Sequence, residues 1–193
     1  LQSHMHFLLS KGGLYKVYNN NLLYHGCIPL NEDGSFKSVK IYGRSYKGKA
    51  LYEVLESYVR KGFYAIDEKE RKRGKDMMWY IWLNENSPLF GKDKMATFER
   101  YFLAEKETHK EKKNPYYDFL ENDKVVDRIL KEFGLEHSFS HIINGHMPVK
   151  SKNGENPMKC GGKVFVIDGG FSRAYQKQTG IAGYTLIYNS YGM

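Results

Sequence analysis

Along the chain the apolar positions keep first the period of a strand and then that of a helix. Gly12-Gly13-Leu14-Tyr15-Lys16-Val17-Tyr18 alternates, Asn19-Asn20-Asn21 supplies a turn, and Leu22-Leu23-Tyr24 resumes, which predicts a hairpin running into His25-Gly26-Cys27-Ile28-Pro29. After the polar turn at Asn31-Glu32-Asp33-Gly34, alternation from Phe36 to Tyr46 predicts one further strand. From Lys49 the period lengthens: Leu51, Val54, Leu55, Tyr58 and Val59 recur at three- and four-residue steps and predict a helix toward Gly62. Asp67 to Lys75 mixes both signs and reads as a solvated helix end or loop. Met77 to Leu83 is a continuous apolar run, a buried strand or short helix that periodicity does not separate.

Pro88 and Gly91 predict a loop, Phe98, Tyr101 and Phe102 one face of a helix, and Asn114-Pro115 the end of that element. Asp123 reads as the N-cap of a helix carrying Val125, Val126, Ile129, Leu130 and Phe133, with Gly134 as its stop. Three strands follow, over Phe139 to Ile143, Val164 to Ile167 and Ala182 to Tyr188, with a glycine-marked loop at 154, 161 and 162. Strands with interspersed helices and no internal repeat predict an α/β fold.

Composition narrows the class. A length of 193 residues is one ordinary domain or at most a small pair. With 41% hydrophobic residues there is enough apolar material for a core, and no run approaches the roughly 18–20 residues of a membrane span. Leu1-Gln2-Ser3-His4-Met5 has the look of a cloning scar and is set aside from the fold reading. Thirty Lys+Arg against 22 Asp+Glu give a net charge of +8, which suits nucleic acid and phosphate esters equally. The two cysteines, Cys27 and Cys160, are too few for a disulfide framework, and free thiols in a cytoplasmic protein are the expectation.

Candidate chemistry centres on two histidines. His25 follows Leu22-Leu23-Tyr24 and precedes a glycine; His146 follows Ile142-Ile143-Asn144-Gly145 and precedes Met147-Pro148. An imidazole at the mouth of a buried strand is held firmly and can face a cleft, as a metal ligand must. The alternative is a pair of loop histidines bonded to backbone carbonyls. Other chemistries lack their motifs: Gly169-Gly170 has neither the spacing nor the Lys-Ser/Thr of a P-loop, and Gly-x-Gly-x-x-Gly and Gly-x-Ser-x-Gly are absent.

These residues carry a resemblance. His25 in Leu-Leu-Tyr-His-Gly-Cys-Ile-Pro, Asn144-Gly145-His146-Met147-Pro148-Val149-Lys150 and Ile167-Asp168-Gly169-Gly170 resemble the later metal-binding motifs of the calcineurin-like metallophosphoesterases. Ser87 to Met95, Thr97 to Phe102, Ile167 to Ser172 and Thr179 to Leu186 resemble more closely the bacterial class III fructose-1,6-bisphosphatases, over essentially all of residues 6–193. The resemblance implies a partial metallophosphoesterase sandwich of mixed sheets flanked by helices. It implies His25 and His146 as ligands of a binuclear centre, with manganese the favoured ion. It further implies in-line attack by a metal-bound hydroxide on the 1-phosphate of fructose 1,6-bisphosphate, in gluconeogenesis, with Lys92, Lys94, Arg100, Lys150 and Arg173 as candidates to steady the phosphate oxygens.

The superfamily's Asp-x-His, Gly-Asp-x-x-Asp and Gly-Asn-His motifs do not occur. Residues 6–193 are therefore expected to be an internal or C-terminal piece of a longer enzyme, inactive alone and without a complete manganese site. Sheet edges that the rest of such an enzyme would cover are expected to favour self-association. A phosphoprotein or dinucleoside polyphosphate phosphatase shares the histidine motifs but not the Lys92-to-Phe102 similarity. A reading from another class is a basic module binding RNA or an acidic partner through Arg60, Lys61 and Lys69 to Lys75. The phosphatase reading instead expects a phosphorylated sugar as partner, and neither nucleic acid nor membrane.

Overall fold

The computed structural model describes residues 1–136, 139–181 and 183–189. Its elements are α1 (Gln2–Lys11), β1 (Tyr15–Tyr18), β2 (Asn21–Tyr24), β3 (Val39–Ile41), β4 (Arg44–Tyr46), α2 (Gly48–Tyr64), α3 (Glu68–Leu83), α4 (Thr97–Phe102), α5 (Asp123–Glu132), β5 (His141–Asn144), β6 (Met158–Lys159), β7 (Val164–Val166) and α6 (Arg173–Thr179), with short 3-10 turns between. They group into two compact units, one of Leu1–Tyr15 and Cys27–Phe119, the other of Lys16–Gly26 and Leu120–Met193. The architecture is α/β, a mixed sheet with helices. Among the described residues no helix is long and apolar enough to cross a membrane.

The first unit is built on the α2–α3 pair. Leu51 and Leu55 of α2 meet Met77 and Ile81 of α3 and Val39 and Ile41 of β3 in one buried cluster. Asp67 caps α3 by accepting a hydrogen bond from the Glu70 amide at 2.8 Å, and Glu68 and Glu70 lie at the positive end of the helix dipole. The apolar run Met77 to Leu83 thus resolves as helix. Only Met77 and Ile81 are buried, while Trp79 and Trp82 face outward edge to face with centroids 5.2 Å apart. The single strand expected over Phe36 to Tyr46 is instead the two short antiparallel strands β3 and β4. Tyr42 and Gly43, at φ 45° and 84°, supply the two left-handed residues of a tight hairpin turn, which breaks the alternation there. Gln2–Met5, left out of the sequence reading, lie within α1.

The second unit holds a five-stranded sheet of order β1-β2-β5-β7-β6. Asn19 and Asn20, at φ 46° and 59°, turn β1 into β2, a conformation asparagine tolerates better than most residues. β2 runs parallel to β5 and β5 parallel to β7, whereas β6 is antiparallel to β7. Leu22, Ile142 and Val164 in the middle of the sheet are fully buried. α5 contributes Val125, Val126, Ile129 and Leu130 to the buried residues of this unit, and Gly134 ends the turn after it at φ 80°.

Two expectations shift here. The N-cap of α5 is Asn122, whose side chain accepts from the Val125 amide, and Asp123 is the first helical residue. Of the strand expected over Ala182 to Tyr188, Ala182 lies outside the described residues and the remainder is irregular. Its contacts are a bridge from Gly183 to Asp168 and the Tyr184 amide bonded to the Ile167 carbonyl at 3.0 Å. β7 ends at Val166, and the segment meets the chain beyond it, at Ile167 and Asp168, without extending into a ladder. Ile187 and Tyr188 consequently stay exposed.

Candidate metal centre

Three parallel strands necessarily deliver their carboxyl ends to one edge of the sheet, where open α/β sheets bind ligands. β2 ends at Tyr24 and hands over to His25; β5 ends at Asn144 and hands over to Gly145-His146; β7 hands over to Ile167-Asp168. The register, Leu23 opposite Ile143 and Asn144 opposite Val166, brings these ends level. His25 Nε2 and His146 Nδ1 are 3.0 Å apart, with ring centroids 4.9 Å apart and planes at 69°. The two residues lie 121 positions apart in sequence.

Backbone hydrogen bonds hold the pair. The Gly145 amide donates to the His25 carbonyl at 3.0 Å, and the Asn144 side-chain amide donates to the Gly26 carbonyl at 3.1 Å. His146 itself sits in the left-handed region at φ 66°, and the Met147 amide closes a tight turn onto the Gly145 carbonyl at 2.8 Å. A non-glycine residue in that region carries backbone strain that is typical of functional positions. Asp168 lies beside this turn: a Cβ on Gly145 would be 3.5 Å from its own Cβ. Its Oδ1 accepts from the Gly170 amide at 2.7 Å.

Two imidazole nitrogens facing each other can share a proton or a cation. Zinc, for example, holds imidazole nitrogen at about 2.0–2.1 Å, so two such ligands stand about 3.3 Å apart at tetrahedral angles and about 2.9 Å apart at right angles. The observed spacing is within a few tenths of an ångström of both, and the donor type suits a first-row divalent ion. The pair therefore fits as part of a metal's ligand set. Among the described residues no cluster of three or more His, Cys, Asp or Glu side chains completes it.

Sequence comparison decides the family. A model of the firmicute fructose-1,6-bisphosphatase family matches residues 1–193. The chain belongs to that family. It is 63% identical over 191 residues to the class 3 fructose-1,6-bisphosphatase of Clostridioides difficile strain 630, covering 98% of this chain and 29% of that protein. Against the proteins of the same name from Clostridium novyi strain NT and Clostridium acetobutylicum the identity is 59% over 194 residues, covering 100% of this chain and 29% of each relative. The chain thus spans under a third of the length of these curated relatives. No solved structure matches.

In this member of the bisphosphatase family the five basic candidates divide between the units. Lys150 and Arg173 belong to the unit that holds His25 and His146, and both are exposed. Lys150 precedes a 3-10 turn and its amide donates to Glu155 at 2.9 Å; Arg173 opens α6. Lys92, Lys94 and Arg100 belong to the other unit and gather round Glu111 and its flanks. Lys92 Nζ is 2.7 Å from Glu111, the Ala96 amide donates to Glu111 at 2.8 Å, Arg100 approaches it at 3.6 Å, and Lys94 donates to the Thr108 carbonyl at 2.8 Å. Glu111, not anticipated from the sequence, thus engages two of the candidates, Lys92 and Arg100. A lone glutamate within a charged run offers no pattern by which to single it out.

The electrostatics of that knot have a sign that can be checked. Burial acts to raise the Glu111 pKa, but the hydrogen bonds from Lys92 and the Ala96 amide, with the charges of Lys92 and Arg100, outweigh it and hold the carboxyl below its usual range. A depressed carboxylate adds stability that is complete above the unfolded value, near 4.3, and disappears as pH falls through the lower folded value. Glu111→Gln should cost about 1–3 kcal/mol at pH 7 in urea unfolding, with the deficit shrinking in acid. A deficit that is constant from pH 7 to pH 3 would contradict the ionic origin.

The thiols are not candidates for nucleophilic chemistry. Burial pushes Cys27 up to about 12, and burial together with the hydrogen bond to Asp123 pushes Cys160 up to about 11. Both are free, buried and protonated at neutral pH. The basic run offered for RNA binding is partly committed as well. Arg60 bonds Glu56 and the Leu9 and Gly12 carbonyls, Lys61 pairs with Glu70 at 2.9 Å, and Arg71 approaches Glu68 at 3.7 Å.

Proposed function

We propose that this chain supplies two imidazole ligands, His25 and His146, to the metal centre of a cytoplasmic class 3 fructose-1,6-bisphosphatase that removes the 1-phosphate of fructose 1,6-bisphosphate in gluconeogenesis. The observation that carries the reading is the pair of ring nitrogens 3.0 Å apart at the common edge of β2 and β5, in a chain whose curated relatives carry that enzyme name. Manganese is the ion we assign. A divalent ion, when bound, supplies positive charge against the phosphate dianion and acidifies water.

The chain's own residues do the rest. The imidazoles present ring-nitrogen lone pairs, and the Gly145-to-His25 backbone bond ties together the two strand ends that carry them. Lys150 and Arg173, exposed in the same unit, are the residues we assign to the equatorial phosphate oxygens. In the other unit Lys92 and Arg100 engage Glu111 and Lys94 bonds the Thr108 carbonyl, and we propose these three as further candidates for contact with the phosphorylated sugar. Among the described residues no further strand pairs with β1 or β6 at the sheet edges, and we propose that β1, with Val17 and Tyr18 exposed, pairs with a second copy.

Two imidazoles are too few donors for a two-metal site, so the reading makes a definite demand of residues 1–193 in isolation. Incubated with manganese and fructose 1,6-bisphosphate, they should release no phosphate above the protein-free control, and light scattering should give a mass above the monomer. Turnover by the isolated chain would contradict the incomplete ligand set, and a monodisperse monomer would remove the edge-pairing proposal.

A further inference from the structure

Asn144 is the one strongly polar side chain among the buried residues Ile142, Ile143 and Asn144 of β5, and it is 2% exposed. A buried amide is retained only where it is hydrogen-bonded, because an unmade bond costs about 1–3 kcal/mol. Its Nδ2 donates to the Gly26 carbonyl at 3.1 Å, across 118 positions of sequence. The next amide along, that of Gly145, donates to the His25 carbonyl at 3.0 Å. One strand end therefore grips two successive carbonyls of the loop that leaves β2. On the opposite side the Asn144 carbonyl accepts from the Ile167 amide at 2.9 Å, which ties the same residue to the end of β7.

The grip has a directional consequence. The Gly145 bond holds the His25–Gly26 peptide, and the Asn144 bond holds the carbonyl of the next one, whose Cys27 amide donates to the Pro88 carbonyl at 2.9 Å; together they limit rotation about Gly26 and so steady the backbone that directs the His25 side chain. The partner ring, His146, sits two residues beyond Asn144 on a turn that starts from the same anchored strand end. We infer that Asn144 is a positioning residue: by clasping the Gly26 carbonyl it sets the His25–His146 ring separation, and through that separation it sets metal affinity. The second half of this inference rests on the metal-centre reading above; the first half does not.

Both halves can be measured. In the metal-free 193-residue chain, nuclear Overhauser contacts between the two imidazoles should be present in the wild type and lost in Asn144→Ala, with circular dichroism unchanged. Asn144→Asp keeps the side-chain volume and removes the donor, so it decides the question if the alanine variant does not fold. In the full-length phosphatase carrying this segment, both variants should raise the manganese dissociation constant about 10–100-fold, as loss of outer ligand-orienting bonds does, while kcat at saturating manganese stays within about threefold. Ring contacts that are missing in the wild type, or that persist at full strength in a folded variant, overturn the positioning role. Lost ring contacts with unchanged manganese affinity, when His146→Ala abolishes binding, overturn the link to affinity. If His25→Ala and His146→Ala also bind manganese as the wild type does, the metal reading falls and the positioning role stands.

Discussion

Replacing His146 by alanine in the full-length protein that carries this segment is expected to lower manganese-dependent phosphate release at least about 100-fold, with the fold unchanged by circular dichroism. Losing a bond that merely orients a ligand costs about 10–100-fold, and loss of a ligand should exceed that. His146 sits at φ 66°, where histidine is better tolerated than alanine, so the alanine variant also carries added backbone strain and needs a second variant beside it. Asparagine tolerates the left-handed region, and His146→Asn removes the imidazole while keeping the turn. Both variants should be equally inactive, and His25→Ala should behave like them, since the proposal puts both nitrogens on one ion. Activity within about threefold of wild type in any of the three would remove the residue from the metal centre.

A second large effect is expected far from the chemistry, at Gly74. A Cβ there would lie 2.1 Å from the Gly62 nitrogen, 2.4 Å from its Cα and 2.5 Å from the Tyr58 carbonyl oxygen, all backbone atoms of α2. The reverse contact is almost as close, a Cβ on Gly62 meeting the Gly74 carbonyl carbon at 2.9 Å. α2 and α3 therefore touch backbone to backbone, and the cluster of Leu51, Leu55, Met77 and Ile81 depends on that separation. Alanine at 74 gains helix propensity of about 1 kcal/mol but must pry the helices apart, so a net loss of about 2–3 kcal/mol and a Tm lower by roughly 5–10 °C are expected. At Gly154, which has open space at φ 76°, the same substitution meets only the left-handed backbone penalty of about 1–2 kcal/mol. A Gly74→Ala chain that melts with the wild type would show that α2 and α3 do not approach as described.

What could be read from the residues, and what could not, follows from how local each signal is. The α2 heptad-like spacing and the Val125-to-Phe133 stripe of α5 are patterns within one element and predict it within a residue or two. Met77 to Leu83 is apolar on every side, so its sequence carries no period. Its helical state comes from the Asp67 cap and from packing on α2, and the exposed Trp79 and Trp82 break the rule that apolar runs are buried. The segment after Ala182 looked like a strand because alternation is a property of the segment, whereas a ladder requires a neighbour in register, and here the pairing goes no further than the Gly183–Asp168 bridge and the Tyr184–Ile167 bond. The histidines were legible as strand-end residues, but their meeting depends on the parallel β2–β5 register, a pairing across more than a hundred residues that no local pattern encodes. Asn144 left a trace, a polar residue closing an apolar strand just before Gly-His, and only its contact with Gly26 gives that trace a meaning.

The most direct measurement is a manganese anomalous difference map from crystals of the full-length protein that carries this segment. The account predicts a peak within bonding distance of both the His25 Nε2 and the His146 Nδ1 atoms, lost in His146→Ala crystals. Manganese bound elsewhere, with His25 and His146 still hydrogen-bonded to each other, would contradict it.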